Sequence, residues 1–277
     1  MKTAALLTCY NRKEKTIKCL HSLFNILPEC SVYLVDDQST DGTSELVLQK
    51  FPQVHIIKGT GNLFWSRGMY TAWKEAKKEN YDYYLWLNDD IELYSFFFKE
   101  MMECYQWGGK NCIVSGLIEN FEHTQILYGG SDSQKKVIIA SNIPQPIHFM
   151  NGNVVLIPSS VVSSIGIIDS KYHHDLGDVD YGLTAIEHGI KVLSTRKAVA
   201  AGYSNNFCRV RKWGTTLRQR LKRLHSPLGS PPSINFYFRK KHFGIVNASI
   251  YYAYLYFINI LPDNIITLIY GDTYIDK

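Results

Sequence analysis

Two apolar runs of strand character in this chain stop at adjacent carboxylates, and that coincidence limits what it can fold into. One is Val32-Tyr33-Leu34-Val35, followed by Asp36 and Asp37; the other is Leu85-Trp86-Leu87, followed by Asn88, Asp89 and Asp90. Carboxylates placed where a buried strand emerges do little for folding, but they suit a hard divalent cation that takes oxygen ligands and can neutralise a diphosphate. In open α/β sheets ligands bind outside the carboxyl ends of the strands, so two strands that both end in acids converge on one crevice. Turn and helix-cap chemistry is the competing account of Asp37, Ser39 and Asp41; it explains Asp41 well and Asp36 poorly.

The first half of the chain alternates short strands with helical patterns. Ala4 to Thr8 reads as a strand, Asn11 with Glu14 three residues on as a helix start, and Cys19, Leu20, Leu23, Phe24 and Leu27 as the apolar face of that helix. Val32 to Asp36, a helix over Thr43 to Lys50 and a strand over Val54 to Ile57 complete a βαβαβ unit. A helix from about Ser66 to Glu79 leads to the strand Tyr83 to Leu87 that delivers the second acid cluster. Further helices are predicted over Phe96 to Tyr105, Ser159 to Ile165 and Asp178 to His188, and strands over Ile113 to Gly116, Met150 to Pro158 and Lys191 to Ser194. Glu119 to Pro146 lacks a clean period and reads as hairpins. Beyond Tyr203 the pattern turns basic and then aromatic, which sets two regions, 1–204 and 205–277.

A chain of 277 residues with 45% hydrophobic and 20% charged content can bury a full core, which excludes a disordered chain. Cys9, Cys19, Cys30, Cys104, Cys112 and Cys208 show neither a C-x-x-C pair nor ligand spacing with the histidines, so buried thiols in a reducing compartment are expected. The N-terminal apolar run is too short for a signal-peptide core, and the expected location is cytoplasmic. Charge is uneven: thirteen Lys and Arg and no acid lie between His188 and Pro262, although the whole chain is only +5. Such a span points to an anionic partner. Beside it, Ile245 to Leu261 is free of charge and rich in Tyr, slightly short for a membrane span that needs ~20 apolar residues. Peripheral attachment to an anionic membrane, at its cytoplasmic face, is the reading that joins the two.

Thr8-Cys9-Tyr10-Asn11-Arg12, Val35-Asp36-Asp37-Gln38-Ser39-Thr40-Asp41-Gly42-Thr43, Asn88-Asp89-Asp90, Met150-Asn151-Gly152-Asn153 and Gly177-Asp178-Val179-Asp180 occur in the order and spacing of family 2 glycosyltransferases. The resemblance covers roughly residues 3 to 204. It implies a GT-A fold, an α/β architecture with a mixed, mostly parallel sheet flanked by helices, here with a helical C-terminal extension. It also implies a nucleoside-diphosphate sugar as donor, UDP- or dTDP-linked, and a glycan or lipid-linked glycan as acceptor. Asp90, with Asp89, resembles the family's metal-binding triplet and would hold Mg²⁺ or Mn²⁺, although its first position is Asn88. Thr8, Asn11, Arg12, Asp36, Arg67, Asn88 and Asp89 fall where relatives contact the nucleotide. Asp178 aligns with the catalytic base of a Glu-Asp pair whose first member is Gly177 here. Gly61 to Gly68 resembles a loop of members that transfer rhamnose or galactose-type residues, and Ser226 to Pro232 and Phe238 to Gly244 a tail of polysaccharide-assembly members. The expected reaction is metal-dependent, inverting transfer to a surface glycan such as lipopolysaccharide or capsule.

Two other functions are weighed against this one. A sugar-phosphate nucleotidyltransferase needs a Gly-rich, basic loop after the first strand to grip a triphosphate, and Thr8 to Arg12 is not one. A nucleic-acid-binding protein has only the basic span in its favour, and no nucleic-acid partner is expected.

Overall fold

The computed structural model describes residues 1–109, 111–204 and 209–271; Cys208 lies outside the described residues. The chain divides into two compact units, residues 1–170 with 177–204, and residues 171–176 with 205–277. The first unit begins β1 (Thr3–Cys9), α1 (Lys13–Ile26), β2 (Ser31–Asp36), α2 (Thr43–Lys50), β3 (His55–Lys58), α3 (Phe64–Ala76) and β4 (Tyr83–Leu87). It continues through β5 (Glu92–Leu93), α4 (Phe97–Trp107), β6 (Cys112–Asn120), β7 (Ile126–Tyr128), β8 (Gly130–Ser131), β9 (Phe149–Met150), β10 (Val154–Pro158), α5 (Ser159–Ile165), α6 (Gly177–Glu187) and β11 (Lys191–Gly202).

One mixed sheet runs β3-β2-β1-β4-β10-β6-β11-β5, with β7 on the side of β6. β1 pairs in parallel with both β2 and β4, Thr8 opposite Val35 and Leu6 opposite Trp86. The chain winds outward from β1 to β3 and returns to the far side of β1 as β4. β1 and β4 therefore flank the switch point, where the strand ends open into a crevice. Along β1, Ala5, Leu7 and Cys9 join one core beneath α1, and Ala4 and Leu6 join the other beneath α3. This alternation explains why the strands carry unbroken apolar runs: both faces are covered.

Several strands run longer than their apolar stretches. β11 continues past Ser194 through Ala198 to Gly202, with irregular register at Ser194–Ala198. There the Thr195 hydroxyl accepts from Leu117 N–H at 2.9 Å and donates to Lys197 O at 2.8 Å, a side chain standing in for the broken ladder. The polar Ser-Thr-Arg-Lys run hides this from a reading of hydrophobicity. β5, only Glu92 and Leu93, is antiparallel to the end of β11 and carries no period of its own. The unpatterned region holds the antiparallel pairs β6–β7 and β8–β9. Cys9, Cys19, Cys30, Cys104 and Cys112 are all buried and unpaired, and burial raises the Cys112 thiol to about 11.

The second unit holds α7 (Leu217–Leu224), α8 (Pro232–Ile260) and α9 (Asp263–Tyr270). Thr216 and Gln219 close a capping box at the start of α7. The last carbonyls of α8 accept from two buried arginines: Arg211 reaches Ile258 O and, at 2.8 Å, Leu261 O, while Arg220 reaches Leu261 O at 3.1 Å. Asp263 accepts from both guanidinium groups, so the C-terminal end of α8 and the start of α9 are fastened by one ionic cluster. Two of the thirteen basic residues are thus internal to the fold.

Candidate active site

Because successive side chains of a strand point to opposite faces, the residues that leave β4 go separate ways. Asp89 turns under α1, where its Oδ2 accepts from the Thr16 hydroxyl at 3.2 Å and its Oδ1 from Arg12 Nη1 at 3.0 Å. The same Nη1 donates to Asp90 Oδ2 at 2.8 Å. One guanidinium, itself 45% exposed, therefore bridges a carboxylate that is 5% exposed and one that is 12% exposed. Burial pushes the Asp89 carboxyl up to about 6, against the opposing pull of Arg12. Asp90 is the member of the pair that solvent reaches.

Asn88 faces the α3 side. Its Oδ1 accepts from Trp65 Nε1 at 2.7 Å, and its Nδ2 donates to Asn153 Oδ1, whose own Nδ2 donates to Asn151 Oδ1. Between those two asparagines, Gly152 N–H donates to Asp178 Oδ2 at 2.9 Å. Asp178 sits in the first turn of α6, where its Oδ1 also accepts from Val179 N–H at 2.9 Å. Hydrogen bonds thus link Asn88, beside the acid pair, to Asn153 and Asn151, and the next peptide N–H along the backbone, that of Gly152, reaches the Asp178 carboxylate. The two glycines here have no room for side chains. A Cβ on Gly152 would lie 2.4 Å from the Trp65 ring, and one on Gly177 would lie 2.6 Å from Ser66 Oγ. The departure at Gly177 from the Glu-Asp pattern therefore has a packing cause.

The remaining candidate residues serve the loops and elements around this crevice in several ways. Asp36 is 1% exposed; its Oδ1 accepts from Ser39 N–H at 2.8 Å and its Oδ2 from the Ser44 hydroxyl. It holds the β2–α2 turn. Its neighbour Asp37 accepts from the N–H groups of Gly61, Leu63 and Phe64 at 2.7–3.1 Å, which shapes the loop before α3. Asn11 does not cap α1. It has a positive φ of 50°, and its Oδ1 accepts from Thr40 N–H at 2.7 Å, joining the loops beyond β1 and β2. Lys13 N–H of α1 is met at 3.0 Å by Asp41, which also caps Thr43. Thr8 lies at the end of β1 with Gly68 of α3 pressed against it, since a Cβ there would sit 2.3 Å from Thr8 Oγ1. Arg67 Nε donates to Ser170 O at 3.1 Å. Trp86 is fully buried core, whereas Trp65 joins core and amide chain.

The sequence profile of glycosyl transferase family 2 matches residues 5–165. The chain belongs to that family. This family 2 chain is 31% identical over 62 residues to Protein RfbJ of Shigella flexneri, a stretch that is 22% of its own length and 48% of RfbJ's, about half of that relative. It superposes on S. aureus TarS 1-349 with a TM-score of 0.57 at 15% identity, covering 88% of this chain and 72% of that one. With the mannosyltransferase PcManGT from Pyrobaculum calidifontis, solved with GDP-Man and Mn²⁺, the TM-score is 0.54 at 14% identity, over 96% of this chain and 78% of the other. The fold is GT-A.

The donor set fits the metal this fold implies in one respect. Among the described residues no three His, Cys, Asp or Glu side chains gather to cage an ion. Mg²⁺ and similar ions, however, commonly take one or two carboxylates and complete their shell with substrate phosphates and water. Asp90, beyond the end of β4 and reached by solvent, has the chemistry of such a ligand, with Asp89 behind it, and Arg12 bridges the two carboxylates.

Proposed function

We propose that this family 2 enzyme transfers a sugar from a nucleoside diphosphate, UDP- or dTDP-linked, to a hydroxyl of a growing surface glycan such as lipopolysaccharide or capsule. The observation that carries the reading is the hydrogen-bonded chain from Asn88 beside the acid pair, through Asn153 and the Asn151–Gly152 turn, to Asp178. It holds a diphosphate-facing end and a carboxylate base in fixed relation, which displacement at an anomeric carbon requires.

Asp178 takes the proton of the acceptor hydroxyl as its oxygen attacks the anomeric carbon and the bond to the diphosphate breaks. One displacement without an enzyme nucleophile inverts the configuration. The Gly152 and Val179 N–H groups orient the carboxylate for that proton. Arg12 faces the departing diphosphate with its permanent charge, and Thr8, at the end of β1, borders the nucleoside side of the crevice. Mg²⁺ or Mn²⁺, when bound, supplies further neutralisation of the diphosphate, and Asp90 with Asp89 would hold it. The acceptor is a glycan or lipid-linked glycan at the inner face of the cytoplasmic membrane, a reading supported by the basic span and by the tail resembling those of polysaccharide-assembly members.

Thermal stabilisation by UDP, dTDP, GDP and CDP, each with and without Mn²⁺, tests the donor assignment. Selective, metal-dependent stabilisation by UDP or dTDP, lost in Asp90→Ala, is expected. Indifference to all four nucleotides would overturn it.

A further inference from the structure

The second unit presents a surface that the transfer reaction does not use. α8 is broken at Gly244, whose φ of 83° and ψ of 167° are not helical, so two helical segments, 232–243 and 245–260, meet there. On the second segment Val246, Ile250, Ala253, Phe257 and Ile260 recur at helical spacing on one side, and all five are exposed. The four large ones are between 60% and 69% exposed, an apolar stripe along the whole segment. The opposite side is packed: Ala248, Leu255, Ile258 and Asn259 are buried, and the arginine cluster pins the end of the helix. Exposed apolar surface this continuous marks a contact site.

Length and packing decide how a membrane could meet it. By length and composition alone α8 is apolar enough to cross a bilayer. The straight segment 245–260 is only about 24 Å long at ~1.5 Å per residue, short of a hydrocarbon core of ~30 Å. One side of it is also committed to protein. It can lie in the plane of a membrane surface and cannot be surrounded by lipid.

Charge selects the kind of surface. Within the second unit the acids of the described residues are Asp175, paired with Arg209, and Asp263, paired with Arg211 and Arg220. Exposed Lys212, Arg218, Lys222 and Lys240 have no acidic counterpart there. Arg218, Lys222 and His225 share one face of α7, and His225 Nε2 lies 3.2 Å from the Tyr256 hydroxyl, adjacent in sequence to Phe257 of the stripe. The cationic face of α7 thus borders the apolar stripe of α8, with tyrosines at the seam. We infer that the second unit docks on an anionic lipid surface, the stripe seated among the acyl chains and Arg218 and Lys222 at the headgroups. This deepens the proposed membrane-face setting and names the docking surface; it does not depend on the donor or the base.

Co-sedimentation of the full chain with vesicles tests it, without nucleotide or acceptor, so that a failure here leaves the transferase reading untouched. Vesicles containing phosphatidylglycerol should carry the protein down, pure phosphatidylcholine should not, and raised salt should release it. Ile250→Glu with Phe257→Glu, and separately Arg218→Glu with Lys222→Glu, should each weaken binding about tenfold or more. Retained helical content and thermal midpoint would show that both double variants are folded. Absence of binding to anionic vesicles overturns the inference, as does binding that the stripe variant leaves intact. A dimer at working concentration that Ile250→Glu dissolves would assign the stripe to a second copy of the chain and overturn it equally.

Discussion

Replacing Asp178 with Asn separates chemistry from architecture, because the amide keeps the shape of the carboxylate and loses its basicity. The carboxylate accepts two backbone hydrogen bonds, from Gly152 N–H and Val179 N–H, each at 2.9 Å. An amide has one acceptor oxygen, so one of these bonds is lost. A hydrogen bond to a charged group contributes roughly 1.5–3 kcal/mol, and Asp178 is only half-buried, which favours the lower end. Losing the negative charge in the first turn of α6 adds about 0.3–1 kcal/mol. The expected cost is about 2 kcal/mol, or a fall in Tm of ~4–8 °C for a chain of this size. Loss of a general base lowers kcat by about 10²–10⁴, while KM for the donor changes little. The assay is release of nucleoside diphosphate from the donor that the stabilisation panel selects, run well below the variant's midpoint and across pH. A kcat within about tenfold of wild type would place the base elsewhere.

Arg12→Ala leaves two neighbouring carboxylates without their shared cation. Because Arg12 is 45% exposed, the loss should be modest, about 1–2 kcal/mol, while Mn²⁺ affinity without nucleotide should rise in an electron paramagnetic resonance titration, since the guanidinium occupies carboxylate oxygens that a metal would take; weaker Mn²⁺ binding would refute that account. Gly177→Glu restores the family's usual residue but drives atoms against Ser66 and Ile168, and calorimetry should show a loss of about 1–3 kcal/mol; an unchanged midpoint would refute the packing account. Burial pushes the Glu100 carboxyl upward, yet bonds from the Arg196 side chain and N–H outweigh it and hold the group below its ordinary 4.5. The stability this pair supplies is therefore present above pH 4.5 and lost as pH falls through the lowered folded-state value, so Arg196→Ala should flatten the acid limb of a denaturation profile; an unaltered limb counts against the pairing.

The sheet around the switch point was legible because its physics is local. Val32–Val35 and Leu85–Leu87 are unbroken apolar runs, and both are core strands covered on two faces. β11 outruns its apolar stretch because its middle satisfies the backbone with the Thr195 hydroxyl, a long-range exchange with Leu117 that hydrophobicity cannot signal. The acid clusters marked the right crevice but not the division of labour within it. Alternation sends Asp36 to Ser44 and Asp37 to the Gly61–Phe64 loop, and only the covering helix determines which acid remains open. Asn151 and Asn153 are visible as a motif, but their amide row has no sequence signature, because it forms only once β10 lies beside β4. The basic span likewise overstates what a partner can meet: Arg211 and Arg220 serve a helix end.

The amide chain also has a polarity. Trp65 can only donate, so Asn88 must turn its oxygen to the indole, and each asparagine after it hands its N–H₂ onward in the same sense. Turning any one of them over would set donor against donor. The row of dipoles is locked by a single indole, and its last member, Asn151, is left with N–H groups to offer beyond it. Any group that meets its Nδ2 must bring an electron pair. The polarity of the whole row is therefore set from the tryptophan end.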